Sequence, residues 1–360
     1  MKTIIFTVIN DLTYDQRMQK ICSTLAKSGW KVTLVGRKLP TSFTLAECTY
    51  SQKRLSCFFH YGKLFYIEYT IRLFFYLLFI KSSVISAVDA DTLVPCFLVS
   101  KIKSCKLVFD AHEYFSEVPE LAERPIAKKV WQWVEQTFIP RVKNKYTVSK
   151  SLADEFAKKF NTPFDVVRNV PFKILVEPQI SGEKFILYQG ALNQGRALEQ
   201  LILAMHRIPL TLKIAGEGDL SKMLRELVTK EGLLSKVDFL GFVAPEKLRQ
   251  LTSQAYLGYN LLTNQGLSYY YSLSNKFFDY LQAGIPSMNP NFPEYRKLIE
   301  HNKVGVICNS DSDAIAEEVN RLLANEHIYY NLQAECIRMR HNFTWENEAK
   351  KIIALYETLR

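Results

Sequence analysis

From its first residues the chain alternates short apolar runs of strand length with amphipathic runs of helix length. Ile4–Ile9 reads as a strand, Asp15–Lys27 as a helix capped by Asp15 or Thr13, and Val32–Val35 as a second strand after the stop signal at Gly29. Further strands follow at Val84–Ala87, Leu107–Asp110, Tyr146–Ser149 and Asp165–Arg168, separated by helical stretches at Leu93–Lys101, Leu121–Phe138 and Leu152–Phe160. Wholly apolar strands placed between helices build a parallel sheet covered on both faces.

The alternation breaks at Asn169-Val170-Pro171, and residues 172–183, with Pro178 and Gly182 as breakers, read as a linker. It then restarts, with strands at Phe185–Gly190, Leu210–Ala215, Val237–Leu240, Leu257–Leu261, Ser287–Asn289 and Val304–Ile307. The expectation is an α/β protein of two Rossmann-like, doubly wound parallel-sheet domains, residues 1–171 and 184–343, which a chain of 360 residues accommodates. The last stretch, 344–360, carries Trp345, Ala349, Ile352, Ile353 and Tyr356 on one helical stripe. It packs either on the second domain or back on the first.

Leu64 to Ile80 departs from the amphipathic pattern: aromatic and aliphatic residues fill it, broken by Glu68 and Arg72 and flanked by Lys63 and Lys81. A membrane-spanning helix needs about 20 mostly apolar residues, and two internal charges count against one. Two readings remain, a helix lying in a membrane interface and a helix buried against the sheet. Charge bears on the choice. Residues 1–170 hold 25 Lys and Arg against 15 Asp and Glu, while residues 171–360 hold 21 of each, so the first half carries the whole net charge of +10. A one-sided positive field suits an anionic membrane surface; without a nucleic-acid-binding motif, nucleic acid is not expected as a partner. Seven cysteines with no C-x-x-C pair, and an N-terminal apolar run ended by Asn10 and Asp11, point to a cytoplasmic protein with reduced thiols, peripheral at most on the inner face of the cell membrane.

In open parallel sheets chemistry gathers in the loops that follow the strands. The first loop, from Asn10 to Arg17, has no G-x-G-x-x-G, which argues against a nicotinamide oxidoreductase. After the strand ending at Asp110 comes Ala111-His112-Glu113, where the imidazole can position or relay a proton from a hydroxyl nucleophile, and a helix starting here would show Glu113 and Glu117 on one face. In the second half, Gly190, Gly195 and Arg196 form a glycine loop that a phosphate can approach, and Gly216 opens a second such turn. Ser274 stands as the cap of a helix whose first turn, with Asn275 and Lys276, suits a diphosphate. Asp279, one turn on, suits the two hydroxyls of a ribose. Asp89-Ala90-Asp91 has the form of a manganese-binding D-x-D but lies in the other half, and no metal is expected.

The run from Asp279 to Pro286 resembles the E-A-M-A-x-G-x-P segment of retaining GT-B glycosyltransferases of the family-four type, the group 1 glycosyl transferases. Asp110–Glu113, Arg168–Pro171, the loop ending at Arg196 and the turn Gly216–Asp219 fall in the family's order. The resemblance implies two Rossmann-like domains facing a central cleft, a UDP- or GDP-sugar donor on the C-terminal half, a glycan or lipid-linked acceptor on the N-terminal half, transfer with retention, and no cofactor beyond the donor. It places Asp279 on the ribose, Arg196 and Lys276 on the diphosphate, and His112 on the acceptor side. Three positions depart from the family pattern. Ala191 and Gln194 stand where an arginine and a lysine usually bind phosphate, and Tyr271 stands at the first glutamate of the E-x7-E pair. A nucleotide-sugar 2-epimerase of the same fold and a non-catalytic subunit are the alternatives; synthesis of cell-surface polysaccharide or glycoconjugate is the expected setting.

Overall fold

A computed structural model describes every residue except 1, 14, 174–176, 180, 181 and 360. The linker read over 172–183 therefore lies partly outside the described residues, as does Tyr14 of the first loop. The chain forms two compact units. One runs to Asn169 and takes in the residues from Asn347 onwards; the other is Val170–Glu346.

The first unit holds a seven-stranded sheet: β1 (Thr3–Thr7), β2 (Lys31–Lys38), β3 (Ser51–Ser56), β4 (Val84–Val88), β5 (Lys106–Ala111), β6 (Asn144–Thr147) and β7 (Asp165–Val166). Their order is β3-β2-β1-β4-β5-β6-β7, every pair parallel. The second holds β8 (Phe185–Gln189), β9 (Thr211–Ala215), β10 (Val237–Gly241), β11 (Leu257–Tyr259), β12 (Ser287–Asn289) and β13 (Gly305–Ile307), ordered β10-β9-β8-β11-β12-β13 and again parallel throughout. Both are doubly wound Rossmann-like sheets, as expected. Each reverses direction once, beside β1 and beside β8, and ligands of such sheets bind beyond the strand ends at that reversal.

The central strands form where the sequence is apolar without a break, because helices on both faces leave no side for polar residues. β4 and β8 are buried along their whole length. Several expectations change at the edges. β3, Ser-Gln-Lys-Arg-Leu-Ser, is an edge strand with no apolar signature and is absent from the sequence reading. No helix spans Glu113 and Glu117; Phe115–Glu117 and Pro119–Leu121 are single 3-10 turns, and the α-helix starts at Pro125, since the residue before a proline is held out of helical geometry. Asp15 does cap the helix Gln16–Lys27, accepting from the Met18 amide at 3.0 Å.

The helix Gly62–Phe79 divides the two readings of its segment. Phe65, Tyr69, Leu73 and Leu77 are buried in the first unit, with the Tyr69 hydroxyl donating to the Val8 carbonyl at 2.5 Å, while its other face is apolar and exposed. Among the described residues no helix is long and apolar enough to cross a membrane. The terminal helix, Trp345–Glu357, returns to the first unit from Asn347 onwards. There Tyr356 lies 5.7 Å from the Phe6 ring and 6.5 Å from Trp30, and its hydroxyl donates to the Ser86 hydroxyl at 2.9 Å.

Tyr356→Ala should lower the stability of the first unit by about 3–5 kcal/mol, the usual cost of deleting a buried aromatic. Tyr356→Phe should cost about 1 kcal/mol, the value of one hydrogen bond. Chemical denaturation followed at Trp30 checks both.

Candidate active site

The parallel register of β8 and β9 pairs Tyr188 with Ile214 and Gln189 with Ala215, so the turns leaving the two strands start side by side. They are then tied by backbone bonds: Gly190 donates to the Ala215 carbonyl at 2.9 Å, Leu192 to that of Glu217 at 3.2 Å, and Leu220 back to that of Leu192 at 2.8 Å. Glycine is required. A Cβ on Gly216, whose φ is +149°, would lie 1.9 Å from the Gly190 carbonyl oxygen. Gly195, at φ +83°, accepts from the Thr263 amide at 3.0 Å and would set a Cβ 2.7 Å from Gln265 Oε1. The predicted loop thus becomes a floor of backbone with almost no side-chain cover.

The cationic groups stand around that floor. Lys276 Nζ lies 4.6 Å from the Tyr188 ring centre, and its Cδ runs past Gly190. Burial, with repulsion from Arg196 added, lowers its ammonium to about 7 against the pull of Asp279. The Arg196 guanidinium stacks over Tyr269 at 5.3 Å. Gln189 is buried and orients Asp279: its amide nitrogen donates to Asp279 Oδ2 at 3.1 Å while its amide oxygen accepts from the Thr252 hydroxyl at 2.8 Å. Asn275, Lys276 and Asp279 all lie on the helix Asn275–Gln282 between β11 and β12.

Ser274 holds the N-cap position in extended geometry, but its side chain does not cap. Its hydroxyl donates instead to Asn260 Oδ1 at 2.6 Å and its amide to the Tyr295 hydroxyl at 2.8 Å, because the buried Asn260–Asn289 pair at the ends of β11 and β12 offers a fixed acceptor. No cap side chain then shields the positive end of this helix, which remains available to an anion. Of the family departures, Ala191 uses its carbonyl to accept from the Tyr188 hydroxyl at 2.6 Å, and Tyr271 meets Tyr270 edge-to-face at 5.2 Å.

In the first unit His112 sits between two carboxylates. Its Nε2 is 3.1 Å from Asp110 Oδ2, its Nδ1 is 3.7 Å from Asp89 Oδ2, and its backbone amide donates to Asp89 Oδ1 at 2.8 Å. Behind it the fully buried Asp110 pairs with Arg17 at 3.1 Å, and Arg17 also donates to the Val167 carbonyl at 3.0 Å. Burial opposes a charged imidazole, but Asp110 and then Asp89 outweigh it and hold the group up at about 9. Burial likewise opposes the Asp110 carboxylate, and Arg17 followed by His112 brings it down to about 2. At neutral pH His112 is therefore an imidazolium that donates hydrogen bonds. An imidazolium can position a hydroxyl by donating to it. Arg17 and Asp110, which set it, went unread as site residues, although Asp110 stands in the quoted motif; nothing in sequence marks Arg17. Among the described residues no group of three His, Cys, Asp or Glu side chains could hold a metal ion.

Residues 173–343 match the family model described as glycosyl transferases group 1. An uncharacterized glycosyltransferase of Methanocaldococcus jannaschii is 29% identical over 238 residues, which make up 59% of this chain and 59% of that relative. The chain thus aligns with less than two thirds of that curated relative. Among solved structures, sucrose-phosphate synthase from Thermosynechococcus elongatus superposes with a TM-score of 0.85 at 16% identity, covering 100% of this chain and 99% of that one. Anabaena HepE, solved in complex with UDP, gives 0.76 at 15%, covering 99% and 100%. At these identities the two structures speak for the fold.

Gly216→Ala should fail to fold to the native second unit or lose several kcal/mol of stability, since either the Gly190 backbone moves or the chain stays strained. Gly232→Ala, a glycine also at positive φ but with nothing within 4 Å of its Cβ, is the control; circular dichroism melts compare them. His112 should titrate near pH 9 by NMR and fall toward its ordinary value in Asp110→Asn. Because its pKa is raised on folding, the stability it contributes is complete below about 6.5 and is lost as the pH rises through about 9.

Proposed function

Residues 173–343 belong to the group 1 glycosyl transferases, and from that premise we propose that the chain transfers a sugar from a UDP- or GDP-sugar to a glycan or lipid-linked acceptor with retention of configuration. The observation that carries the reading is the backbone floor of Gly190 and Gly216 with Lys276, Arg196 and an unshielded helix start around it. Backbone amides and paired cations stabilise the charge that develops on a leaving diphosphate, and such preorganised groups are worth about 3–4 kcal/mol each. Asp279, already turned by Gln189, accepts the ribose hydroxyls. The departures at Ala191 and Gln194 place the whole phosphate charge on Arg196 and Lys276. His112, protonated, positions the acceptor-side hydroxyls as a donor. No metal is assigned to this reaction.

UDP is the first nucleotide to try, HepE having been solved with UDP and with UDP-glucose. Asp279→Ala should weaken binding by about 10- to 100-fold, the value of charge-assisted hydrogen bonds. Arg196→Ala or Lys276→Ala should lower transfer by about 100- to 1000-fold; unchanged rates in both would sink the phosphate assignment. A UDP-sugar converted to its epimer without acceptor would identify a 2-epimerase instead. The losses at Ala191, Gln194 and Tyr271 favour one other reading, a non-catalytic subunit, and absence of binding by any nucleotide would decide for it.

Lys276 adds a pH test. Its ammonium is lowered to about 7, so above that pH the diphosphate must recruit a proton to bind. Affinity should fall by up to about tenfold per pH unit above 7, with proton uptake visible as a buffer-dependent enthalpy in calorimetry. Both effects should vanish in Lys276→Arg.

A further inference from the structure

The helix Gly62–Phe79 is apolar on the side where a helix of an α/β unit ordinarily turns charge to water. Opposite its buried face it exposes Leu64, Ile67, Ile71, Phe75 and Phe79 at successive spacings of three and four, a single stripe along its whole length, with Phe79 83% exposed. Its two neighbours repeat the pattern. The helix Asp89–Ile102 packs beside it and exposes Leu98 and Ile102, four apart. Beyond that, Pro125–Phe138 exposes Ile126, Val130 and Trp133, with Trp133 59% exposed. The ring of Tyr66 against Trp131 at 5.4 Å and that of Phe97 against Phe138 at 5.2 Å lock the three helices into one layer. An exposed apolar surface shared by three helices marks an interaction site rather than scattered surface residues.

Charge says what covers it. Within these three helices each carboxylate is already engaged or buried. Glu68 is taken by Arg72 at 2.7 Å and by the amides of Phe58 and Phe59, Glu135 by Ser116 and Lys159, while Asp89 holds His112 and Asp91 is buried. The exposed acid closest in sequence is Glu123, in the preceding loop. By contrast Lys63, Lys81, Lys101, Arg124 and Lys129 are exposed at or beside the helices. We propose that this layer docks flat on an anionic lipid membrane, with the apolar stripe entering the headgroup boundary and the lysines and arginine pairing with lipid phosphates above it. A second copy of the chain fits poorly, because a twofold contact through this face sets the same cations against one another. The inference concerns the first unit alone and does not depend on the donor site.

Vesicles of phosphatidylcholine with a quarter phosphatidylglycerol, compared with pure phosphatidylcholine, test it by co-sedimentation of the full chain. Binding to the anionic vesicles should exceed that to neutral ones by tenfold or more and weaken in high salt. It should drop at least tenfold both in Ile71→Glu/Phe75→Glu and in Lys63→Glu/Lys81→Glu/Lys101→Glu/Lys129→Glu. The fluorescence of Trp133, isolated by difference from Trp133→Phe, should shift to the blue on anionic vesicles. Unchanged circular dichroism spectra and melts of both variants in solution show that they fold, a readout that does not involve the donor site. Failure to bind anionic vesicles, or equal binding to both kinds, overturns the proposal. A concentration-dependent dimer in light scattering that Ile71→Glu/Phe75→Glu dissolves overturns it as well, giving the face to a second copy.

Discussion

The second unit depends on two neighbouring strands ending in backbone that touches backbone. Because a Cβ on Gly216 would run into the Gly190 carbonyl oxygen, no other residue fits, and the turns after β8 and β9 become one surface of peptide groups. Everything placed around this floor inherits its position from that contact. Lys276 runs across Gly190, Tyr188 supports the lysine from the strand and bonds the loop through its hydroxyl, and Gln189, one residue before the glycine, reaches Asp279. Three consecutive residues at the end of one strand thus serve the floor, the cation and the carboxylate. A shift of one residue in the β8 register would turn Tyr188 and Gln189 each to the face the other now occupies and break both contacts.

Electrostatics are arranged in opposite senses in the two units. Lys276 lies half-buried beside another cation with only Asp279 in its favour, so it sits near its titration point. His112 lies half-buried between two carboxylates that hold it charged. The first group has a second cation beside it and one carboxylate to offset both. The second is saturated, and its neighbour Asp110 is in turn pinned by Arg17, so that a chain of alternating charges fixes the imidazole in place. Breaking a buried pair of that kind by removing one partner costs about 3–5 kcal/mol. The first unit therefore spends stability on rigidity where the second keeps charge in reserve.

How much of this was legible beforehand follows from which interactions are local. The central strands could be read because burial on both faces leaves a continuous apolar run, and the glycine turns because nothing else adopts their backbone. β3 could not, since an edge strand of Ser-Gln-Lys-Arg-Leu-Ser takes its structure from β2 and carries no pattern of its own. The start of the helix at Pro125 was written in the sequence, because Arg124 cannot be helical before a proline, yet the apolar Leu121 drew the expected boundary forward. Ser274 shows the reverse failure. Its local signal for capping was sound, and a tertiary partner, Asn260, fourteen residues away, outbid it. The pairings that tune the sites, Gln189 with Asp279 across 90 residues and Arg17 with Asp110 across 93, leave no periodicity or spacing to find.

The aromatic helix Gly62–Phe79 shows why pattern alone stopped at two readings. A helix apolar all round is either enclosed or facing a second nonaqueous phase, and sequence cannot count the neighbours around it. Packing does. The sheet side takes Tyr69, Leu73 and Leu77, the helix Asp89–Ile102 takes one flank, and what is left is a stripe with nothing of this unit over it. Its two internal charges, which weighed against a membrane span, turn out to neutralise each other and to fasten the loop at Phe58 and Phe59 to the helix start, so they cost the stripe none of its apolar character. The same Glu68 and Arg72 that deny this helix a place across a bilayer leave its outer face fit to lie on one.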